Sequence, residues 1–360
     1  MRFHELTVAE VRRETPEAVS IRFAVPAQLQ ETFRFQAGQY LALAAELAGE
    51  EVIRNYSVCA PPSAGELRVA VKEIAGGAFS SFVNRTLKAG DRLKVATPMG
   101  RFTWAFDPAR AGRYLAFAGG SGITPILSLI ATALETEPNS RVTLAYGNRN
   151  AGAIIFLEAL AALKDRFLDR LQVLHILEEE EGEIALYNGR LDQAKCEELF
   201  ARLIPPTPLA DDLTAAFICG PGPMMEAVEA ALQAQGVAAE KILIERFTAG
   251  APSAAAAAAA RAIAQQADGL ELTVVMDGRR RRIAFDAEKG SILDSARAAG
   301  LAAPFACKGG VCATCRARVL QGEVVMKQNF ALTAEEVAKG YVLTCQAAPK
   351  TPGVVIDYDG

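Results

Sequence analysis

The sequence has 360 residues, of which 51% are hydrophobic and 22% charged, with a formal net charge of −4 and seven cysteines. A chain of this length can bury a core without disulfides, its cysteine count is odd, and its first residues lack the apolar stretch of a secretion signal, so we expect a cytoplasmic protein with reduced thiols. The mixed charges argue against a nucleic-acid-binding face, and no apolar run approaches the ~20 residues of a membrane span.

Residues 1–110 consist of short segments with alternating charged and apolar residues, interrupted by glycine and proline. This pattern predicts an antiparallel β-barrel domain with little helix except around FSSFVNRTLKAG. In IRNYSVCAPP, Arg54 and Tyr56 lie on one face of a strand and offer a cation for a phosphate and a ring for stacking. Gly77 and Ser80 stand at the start of the predicted helix, a second phosphate site. An ordinary polar strand and turn are the alternative for both segments.

Residues 111–249 alternate between short apolar strands, such as RYLAFAGG and RVTLAYG, and helical stretches, which predicts a doubly wound α/β domain with a parallel sheet. In AFAGGSGITP, the glycines Gly119, Gly120 and Gly122 separate the first strand from a helix that Thr124 is placed to cap. They allow a pyrophosphate to approach the helix N-terminus. The spacing differs from G-x-G-x-x-G, so a tight structural turn is the alternative.

Two further strand ends lie at the same expected ligand-binding edge. YGNRN offers Asn148, Arg149 and Asn150 where dinucleotide-binding folds place a carboxylate for the adenosine ribose or an arginine for a 2′-phosphate. The absence of a carboxylate favours NADPH, with NADH as the alternative. In ICGPGPMM, Cys219 and Gly220 end the last strand, and Cys219 either packs as a strand end or lies beside the nicotinamide.

An alanine-rich segment, Gly250 to Gly269, separates this region from residues 270–360 and is typical of a linker, although alanine also favours a short helix. Beyond it, LELTVVM, a DG turn and RRRRIAF predict a hairpin. SILDSARAAG follows as a short helix with Ser291 at its N-cap, and RARVLQGEVV as a strand. This order predicts a β-grasp ferredoxin domain.

The loop ACKGGVCATC contains Cys307, Cys312 and Cys315, and Cys345 follows 30 residues later. C-x₄-C-x₂-C with a distant fourth cysteine is the spacing of plant-type [2Fe–2S] ferredoxins. The small residues of the loop leave room for backbone N–H groups to approach the cluster sulfurs. Zinc is the weaker alternative, since structural zinc sites pair closely spaced cysteines or histidines, and both histidines are distant in sequence.

The two predicted redox groups differ in electron number. A dinucleotide delivers two electrons together as hydride, whereas a [2Fe–2S] cluster accepts one. A flavin accepts a pair and passes on single electrons, so we expect the first domain to bind one.

The motifs RNYS, GGAFS, AGGSGITP, CGPGPMM and IERF occur in the order found in ferredoxin–NADP reductase-like flavoproteins, and CKGGVCATC follows near the C-terminus. The chain resembles the members of that family that are reductase subunits of bacterial multicomponent oxygenases. The resemblance covers nearly the whole sequence except the alanine-rich segment. It implies a flavin-binding barrel, 1–110, a nucleotide-binding domain, 111–249, a linker, 250–269, and a ferredoxin domain, 270–360.

The resemblance also implies a role for each matching position. Arg54 would contact the flavin pyrophosphate, Tyr56 the ring face, and Ser57 the region near N5. The other implied FAD contacts are Asn55, Val71, Lys72, Gly77, Ala78, Phe79 and Ser80. The implied nucleotide contacts are Gly120, Gly122 and Thr124. The strand ends described above add Gly119, Arg149, Cys219 and Gly220 as candidate nucleotide contacts. Glu245 and Phe247 of IERF would close over the flavin, and Ser57, Cys219 and Glu245 would be catalytic.

The implied electron acceptor is a separate di-iron oxygenase, most closely that of a phenylacetyl-CoA epoxidase complex. This chain has no di-iron pattern of its own, because neither His4 nor His175 has a glutamate three residues before it. A reductase serving a ring-hydroxylating, steroid or alkane oxygenase is the alternative, and an iron–sulfur redox sensor a more distant one. The family contains FAD and FMN proteins, and the resemblance favours FAD.

Overall fold

The structure, a computed structural model, describes residues 2–203, 209–247 and 254–360. The chain divides into two compact units, Met1–Arg246 and Phe247–Gly360, and each unit has its own hydrophobic core. In the described part of the chain, no helix combines the length and the apolarity needed to cross a bilayer.

The first unit opens with an antiparallel sheet, as the alternating pattern predicts. Its strands are β1 (Phe3–Thr15), β2 (Ala18–Ala24), β3 (Tyr40–Leu47), β4 (Glu50–Ser57), β5 (Leu67–Lys72) and β6 (Arg92–Ala96), and their order across the sheet is β4-β3-β6-β1-β2-β5. The two edges approach each other, because Val58 bridges to Val69 and the Cys59 N–H donates to the Arg68 carbonyl at 2.9 Å. Helix α1 (Ala78–Arg85) covers the core that this curvature encloses.

A parallel sheet with helices on both faces forms the rest of the unit, again as predicted. Its strands are β7 (Arg113–Gly119), β8 (Arg141–Asn148), β9 (Leu171–Leu177), β10 (Ala215–Cys219) and β11 (Ile242–Glu245). The intervening helices are α2 (Ile123–Thr136), α3 (Leu157–Arg166), α4 (Gln193–Leu203), α5 (Leu209–Asp212) and α6 (Gly222–Ala234). The strand order β11-β10-β7-β8-β9 reverses direction between β7 and β10. Ligands bind at such switch points, beyond the carboxyl ends of the strands.

Glu137, at the end of α2, joins the segment between the two sheets to the parallel sheet. Its side chain is fully buried and accepts hydrogen bonds from the Tyr114 hydroxyl at 2.8 Å and from Arg110 Nη1 at 2.9 Å. It also accepts from the Asp107 backbone N–H at 2.9 Å and from the Ser140 hydroxyl. A buried carboxylate with this many donors is compensated, and removing it leaves those donors unsatisfied.

We therefore expect Glu137→Ala to lower the free energy of unfolding of the first unit by about 3 kcal/mol or more. Glu135→Ala is the matched control on the same helix, because its partners Arg166 and Ser63 are both exposed, and its loss should stay below about 1 kcal/mol. Urea unfolding of both variants, followed by circular dichroism, measures the difference. Equal losses in the two variants would contradict the role given to Glu137.

The second unit contains a sheet of order β13-β12-β18-β14-β16 and a small sheet formed by β15 and β17. The strands are β12 (Glu271–Met276), β13 (Arg279–Ala284), β14 (Arg316–Gln321), β15 (Val324–Met326), β16 (Tyr341–Leu343), β17 (Ala347–Pro349) and β18 (Val354–Asp357). The predicted hairpin is present, with positive φ at both Asp277 and Gly278. The single strand predicted at RARVLQGEVV is wrong, because Gly322, at φ +80°, divides it into β14 and β15.

The helices of the second unit are α7 (Ala254–Gln266), α8 (Ile292–Ala298) and α9 (Ala334–Ala338). Ser291 caps α8 as predicted, since its hydroxyl accepts the Asp294 N–H at 3.1 Å. Helix α7 lies in the alanine-rich segment expected to be a linker. Ala264, in α7, and Ala267, just after it, are buried in the core of this unit, so the segment is not extended along its whole length.

Candidate flavin, nucleotide and iron–sulfur sites

The end of β4 presents a row of polar side chains from the antiparallel sheet. The Tyr56 ring stacks on Phe79 of α1, with centroids 5.7 Å apart and planes at 28°. Both polar side-chain atoms of Asn55 and the Ser57 hydroxyl are buried and have no hydrogen-bond partner among the described residues. Buried polar atoms are rarely left unpaired, so these three atoms fit hydrogen bonds to a polar ligand. Burial also raises the pKa of Tyr56 well above its usual value, which keeps the phenol neutral.

The N-terminus of α1 lies beside this row and has no side-chain cap. Its N-cap residue is Gly77, where a Cβ atom would lie 2.6 Å from Ser80 Oγ and 3.0 Å from the Ile74 carbonyl oxygen. Ser80 closes the preceding turn, because its hydroxyl accepts the Ile74 N–H at 3.1 Å and donates to the Gly77 carbonyl at 3.1 Å. Asn84 ties α1 to β5 by donating to the Val71 carbonyl at 3.1 Å. Free N–H groups and unpaired polar atoms together fit a flavin nucleotide.

The glycine-rich turn after β7 packs directly against the turn after β10. A Cβ atom on Gly122 would lie 2.0 Å from the Cys219 carbonyl oxygen, and one on Gly119 would lie 2.6 Å from Pro221 Cδ. Gly220 is confined less severely, because its Cβ position lies 2.7 Å from the flexible Met224 Cε and 3.0 Å from the Gly119 nitrogen. These three glycines are therefore required by contacts within the protein. Their expected contacts with a cofactor stay predictions.

Gly120 differs from its neighbours, because it has φ +52° and the nearest atom to its Cβ position is the flexible Lys72 Nζ, 3.9 Å away. The buried Tyr146 hydroxyl donates to its carbonyl at 2.9 Å, which fixes the turn from below. Thr124 is not the helix cap that the sequence suggests: α2 begins at Ile123, and the Thr124 hydroxyl donates to the Ser121 carbonyl at 3.1 Å. The turn thus leaves only the backbone around Gly120 open to a nucleotide.

The end of β8 places Asn148 and Arg149 at the same edge of the sheet. Asn148 is nearly buried, and its Nδ2 has no partner among the described residues. Arg149 is ion-paired with Glu17 of the antiparallel domain, with Nη2 and Oε2 2.7 Å apart. The side chain predicted to bind a 2′-phosphate is therefore close to a carboxylate.

Cys219 and Glu245 end neighbouring parallel strands and are paired in register. Cys219 is fully buried, and burial raises the pKa of its thiol well above the usual value, so that it stays protonated. Burial also raises the pKa of the Glu245 carboxyl, to about 8. At pH 7 the Cys219 thiol is therefore neutral, and the partly buried Glu245 carboxyl is mostly protonated.

The raised pKa of Glu245 predicts a pH-dependent stability. The unfolded chain loses this proton near pH 4.5, whereas the folded protein keeps it to about pH 8. The contribution of Glu245 to the free energy of unfolding therefore falls as the pH rises between these values, by about 1.4 kcal/mol per unit.

Glu245→Gln removes this titration. The melting temperature of the variant relative to wild type should rise steadily from pH 5 to pH 8, as measured by thermal unfolding. Glu240→Gln, at an exposed position nearby, should follow wild type at every pH. A difference between Glu245→Gln and wild type that does not change with pH would rule out the shift.

The four cysteines predicted to bind a cluster lie together in the second unit and form two pairs. The Cys307 side chain adjoins Cys312, and Cys315 adjoins Cys345. The neighbouring Cys312 lowers the pKa of Cys307, and the neighbouring Cys315 lowers that of Cys345. One thiol of each pair is thus favoured as a thiolate, the form that binds metal. In the described residues, no three His, Cys, Asp or Glu side chains surround a single metal position. Two pairs of thiols fit a binuclear cluster, with two sulfurs for each iron.

The loop from Cys307 to Cys315 is wound so that several of its N–H groups face the Cys307 sulfur. Lys308 and Ala313 both have positive φ, near +50°, which is uncommon for residues other than glycine. The Gly309 N–H donates to Cys307 Sγ at 3.3 Å. The Gln346 side chain donates to Cys345 Sγ at 3.4 Å and to the Lys308 carbonyl at 2.8 Å. N–H donors to ligating sulfur are the surroundings that iron–sulfur clusters use.

Cys345→Ala should therefore abolish cluster binding, since one iron loses half of its protein ligands. Iron and sulfide analysis of the purified protein should fall from about two of each per chain to near zero. Cys196→Ala is the control, because Cys196 is an equally buried free thiol in the other unit. Retention of iron by Cys345→Ala would show that this residue is not a ligand.

Several residues that shape these sites have no signal in the sequence. Gln346 and Gln328 hold the cluster loop by its carbonyls, with Gln328 Nε2 donating to the Gly309 carbonyl at 3.1 Å. Tyr358 donates to the Thr344 hydroxyl at 2.8 Å, and that hydroxyl donates to the Cys315 carbonyl at 2.9 Å. Phe247 belongs to the second unit, so its predicted position over the flavin stays a prediction.

Three family models match the chain, and together they span both units. They are an oxidoreductase FAD-binding domain over residues 5–104, an oxidoreductase NAD-binding domain over 117–230, and a 2Fe-2S iron-sulfur cluster binding domain over 274–350. Together with full-length relatives, these matches show that the chain belongs to the ferredoxin reductase-like flavoproteins that are reductase components of oxygenases. It is an NAD(P)H-dependent oxidoreductase that uses FAD and a [2Fe–2S] cluster.

Among individual proteins, the chain is 48% identical to one component of the 1,2-phenylacetyl-CoA epoxidase of Escherichia coli K12, over 99% of this chain and 98% of that one. It is 32% identical to the ferredoxin reductase component of 3-ketosteroid-9-alpha-monooxygenase from Rhodococcus rhodochrous, over 98% and 96%. The solved structure of phthalate dioxygenase reductase has the same fold, with a TM-score of 0.58, 22% identity and coverage of 99% and 98%.

Proposed function

We propose that the chain is the reductase component of a phenylacetyl-CoA epoxidase, passing electrons from NADPH through FAD and a [2Fe–2S] cluster to a di-iron oxygenase. The observation that carries the proposal is the 48% identity to the Escherichia coli epoxidase component over 99% of the chain, against 32% to the steroid monooxygenase reductase. In this proposal residues 1–110 bind FAD, 111–249 bind the nucleotide, and 270–360 bind the cluster.

The chain's own residues determine where the flavin is held. Arg54 and the N-terminus of α1 supply positive charge for its phosphates, and Tyr56 is held flat against Phe79 for stacking on the ring. Asn55 and Ser57 bring the unpaired polar atoms that the ring edge needs. When bound, a flavin supplies the conversion from paired to single electrons.

The nucleotide is proposed to lie along the carboxyl edge of the parallel sheet. The backbone near Gly120 faces its pyrophosphate, and Arg149 binds the 2′-phosphate. Cys219 and Glu245 border the nicotinamide as neutral groups, because burial keeps both protonated at neutral pH. Neutral side chains at these two positions do not repel the anionic cofactors. They also exclude water from the face of the nicotinamide that reacts.

The cluster domain passes electrons out of the chain. Cys307 and Cys312 would hold one iron, and Cys315 and Cys345 the other. The N–H donors to Cys307 and Cys345 stabilise negative charge on the sulfurs, which favours the reduced cluster. We also propose a cytoplasmic location, supported by seven cysteines of which none forms a disulfide in the described residues, as is usual in a reducing compartment.

Stopped-flow absorbance with purified, iron-replete protein tests the proposal. NADPH should bleach the flavin and cluster bands, and faster than NADH does. In the presence of phenylacetyl-CoA oxygenase subunits, the reduced protein should support oxygen-dependent consumption of phenylacetyl-CoA. Cys345→Ala should keep the fast flavin bleaching and lose oxygenase turnover.

Two results would contradict the proposal. Faster reduction by NADH would overturn the assignment of NADPH and the role of Arg149. Turnover with a steroid or ring-hydroxylating oxygenase, and none with the phenylacetyl-CoA oxygenase, would assign the chain to another partner of the same reductase class.

A further inference from the structure

The ion pair between Arg149 and Glu17 joins two distant parts of the first unit. Glu17 lies in the turn between β1 and β2 of the antiparallel domain, and Arg149 lies just after β8 of the parallel sheet. The two side chains are 132 positions apart in sequence, 2.7 Å apart in space, and 50% and 48% exposed. The two domains already share a buried apolar cluster that includes Ala18 and Ala70 of one and Ile126 of the other, and the ion pair adds an exposed contact to it.

Both partners are held in place by their backbones. The Glu17 N–H donates to Thr15 Oγ1 at 3.2 Å, and its carbonyl accepts the Glu73 N–H at 2.7 Å. The Arg149 carbonyl accepts the Glu179 N–H at 2.7 Å. The pair therefore joins two anchored positions, so the carboxylate stays close to the guanidinium.

Further carboxylates lie near Arg149, although one of them, Glu178, is itself ion-paired with Arg190. Glu178 and Glu179 lie close enough to act on the charge of Arg149. Glu179 also accepts a hydrogen bond from Asn150 Nδ2 at 3.1 Å, and Glu180 accepts one from the Ala151 N–H at 3.0 Å. While Glu17 is ion-paired with Arg149, the positive charge of Arg149 is already neutralised. A second anion is then also repelled by the nearby carboxylates.

A second cation is available to Glu17. Lys72 Nζ of β5 lies 3.8 Å from the same carboxylate oxygen, Oε2, that contacts Arg149. If a phosphate takes Arg149, Glu17 keeps a partner in Lys72. Arginine forms stronger, two-pronged contacts with phosphate than with a single carboxylate oxygen, so the exchange favours the phosphate.

From this geometry we propose that Glu17 is a specificity-determining residue: it holds Arg149 in the nucleotide-free protein and competes with the 2′-phosphate of NADPH for it. The inference rests on the proposed role of Arg149 in the nucleotide site. NADPH must displace Glu17 from Arg149, because its 2′-phosphate binds there. NADH has no 2′-phosphate and does not use Arg149. Glu17 therefore weakens the binding of NADP(H) and leaves that of NAD(H) unchanged.

The test is Glu17→Gln in the full-length protein with its flavin and cluster in place. NADP⁺ and NAD⁺ are each titrated, with binding followed by isothermal calorimetry. Because exposed ion pairs are weak, we expect roughly two- to fivefold tighter binding of NADP⁺ and no change for NAD⁺. The gain should shrink at high salt, since screening weakens the competing pair.

Glu5→Gln is the matched control. Glu5 forms a similarly exposed pair with Arg92, at 3.0 Å, on the same antiparallel sheet, so this variant removes the same charge without contacting Arg149. It should leave the ratio of the two dissociation constants unchanged. An equal tightening of NADP⁺ and NAD⁺ by Glu17→Gln, or the same gain in Glu5→Gln, would show a general charge effect and overturn the inference.

Arg149→Gln separates this inference from the proposed function. If Arg149 binds the 2′-phosphate, the variant weakens NADP⁺ selectively, and adding Glu17→Gln to it produces no further gain. If Arg149→Gln weakens NADP⁺ but Glu17→Gln alone does not tighten it, the competition is refuted and the site of the phosphate stands. If Arg149→Gln leaves NADP⁺ binding unchanged, both assignments are refuted.

Discussion

The close packing of two strand-to-helix turns is the constraint on which the nucleotide-binding half depends. Gly122 lies so near the Cys219 carbonyl that any side chain would overlap it, and Gly119 is confined by Pro221 in the same way. This contact holds β7 and β10 together at the point where the strand order reverses. It also brings Cys219, Glu245 and the open backbone near Gly120 to one edge. The close packing of the two turns therefore determines where these polar groups lie.

The first unit combines two domains whose polar groups meet at that edge. The antiparallel sheet contributes the row from Arg54 to Ser57, and the parallel sheet contributes the turn near Gly120. Glu137 fixes the connection between the sheets with buried hydrogen bonds, whereas the Arg149–Glu17 pair crosses it with an exposed contact. The Glu137 hydrogen bonds are rigid because their groups are shielded from water. The Arg149–Glu17 pair can exchange partners because water and dissolved ions compete for both side chains. The two domains are thus joined by two different kinds of electrostatic contact.

Local sequence signals predict most of the architecture. The cysteine spacing, the DG hairpin and the Ser291 cap depend on neighbouring residues, and the structure has the hairpin, the cap and the clustered thiols. The role of a residue could not be predicted from the sequence where that role depends on a contact with a distant part of the chain. The sequence predicts that Gly119 and Gly122 contact the cofactor. In the structure, the turn after β10 leaves no room for a side chain at either position. Glu17 has no motif, because its partner lies 132 positions away. Thr124 has the chemistry of a helix cap, yet α2 begins one residue before it and its hydroxyl donates to the Ser121 carbonyl.

The seven thiols differ in a way that matters when the iron is lost. Burial raises the pKa of Cys59, Cys196 and Cys219, so these three stay protonated and closed to reagents. Among the four cysteines predicted to bind the cluster, Cys307 combines partial exposure with a lowered pKa. Alkylating agents and peroxides attack thiolates, so apoprotein handled in air would first be modified at this one sulfur. Mass spectrometry of the peptide that contains Cys307 then measures the fraction of a preparation that can no longer be reconstituted with a cluster.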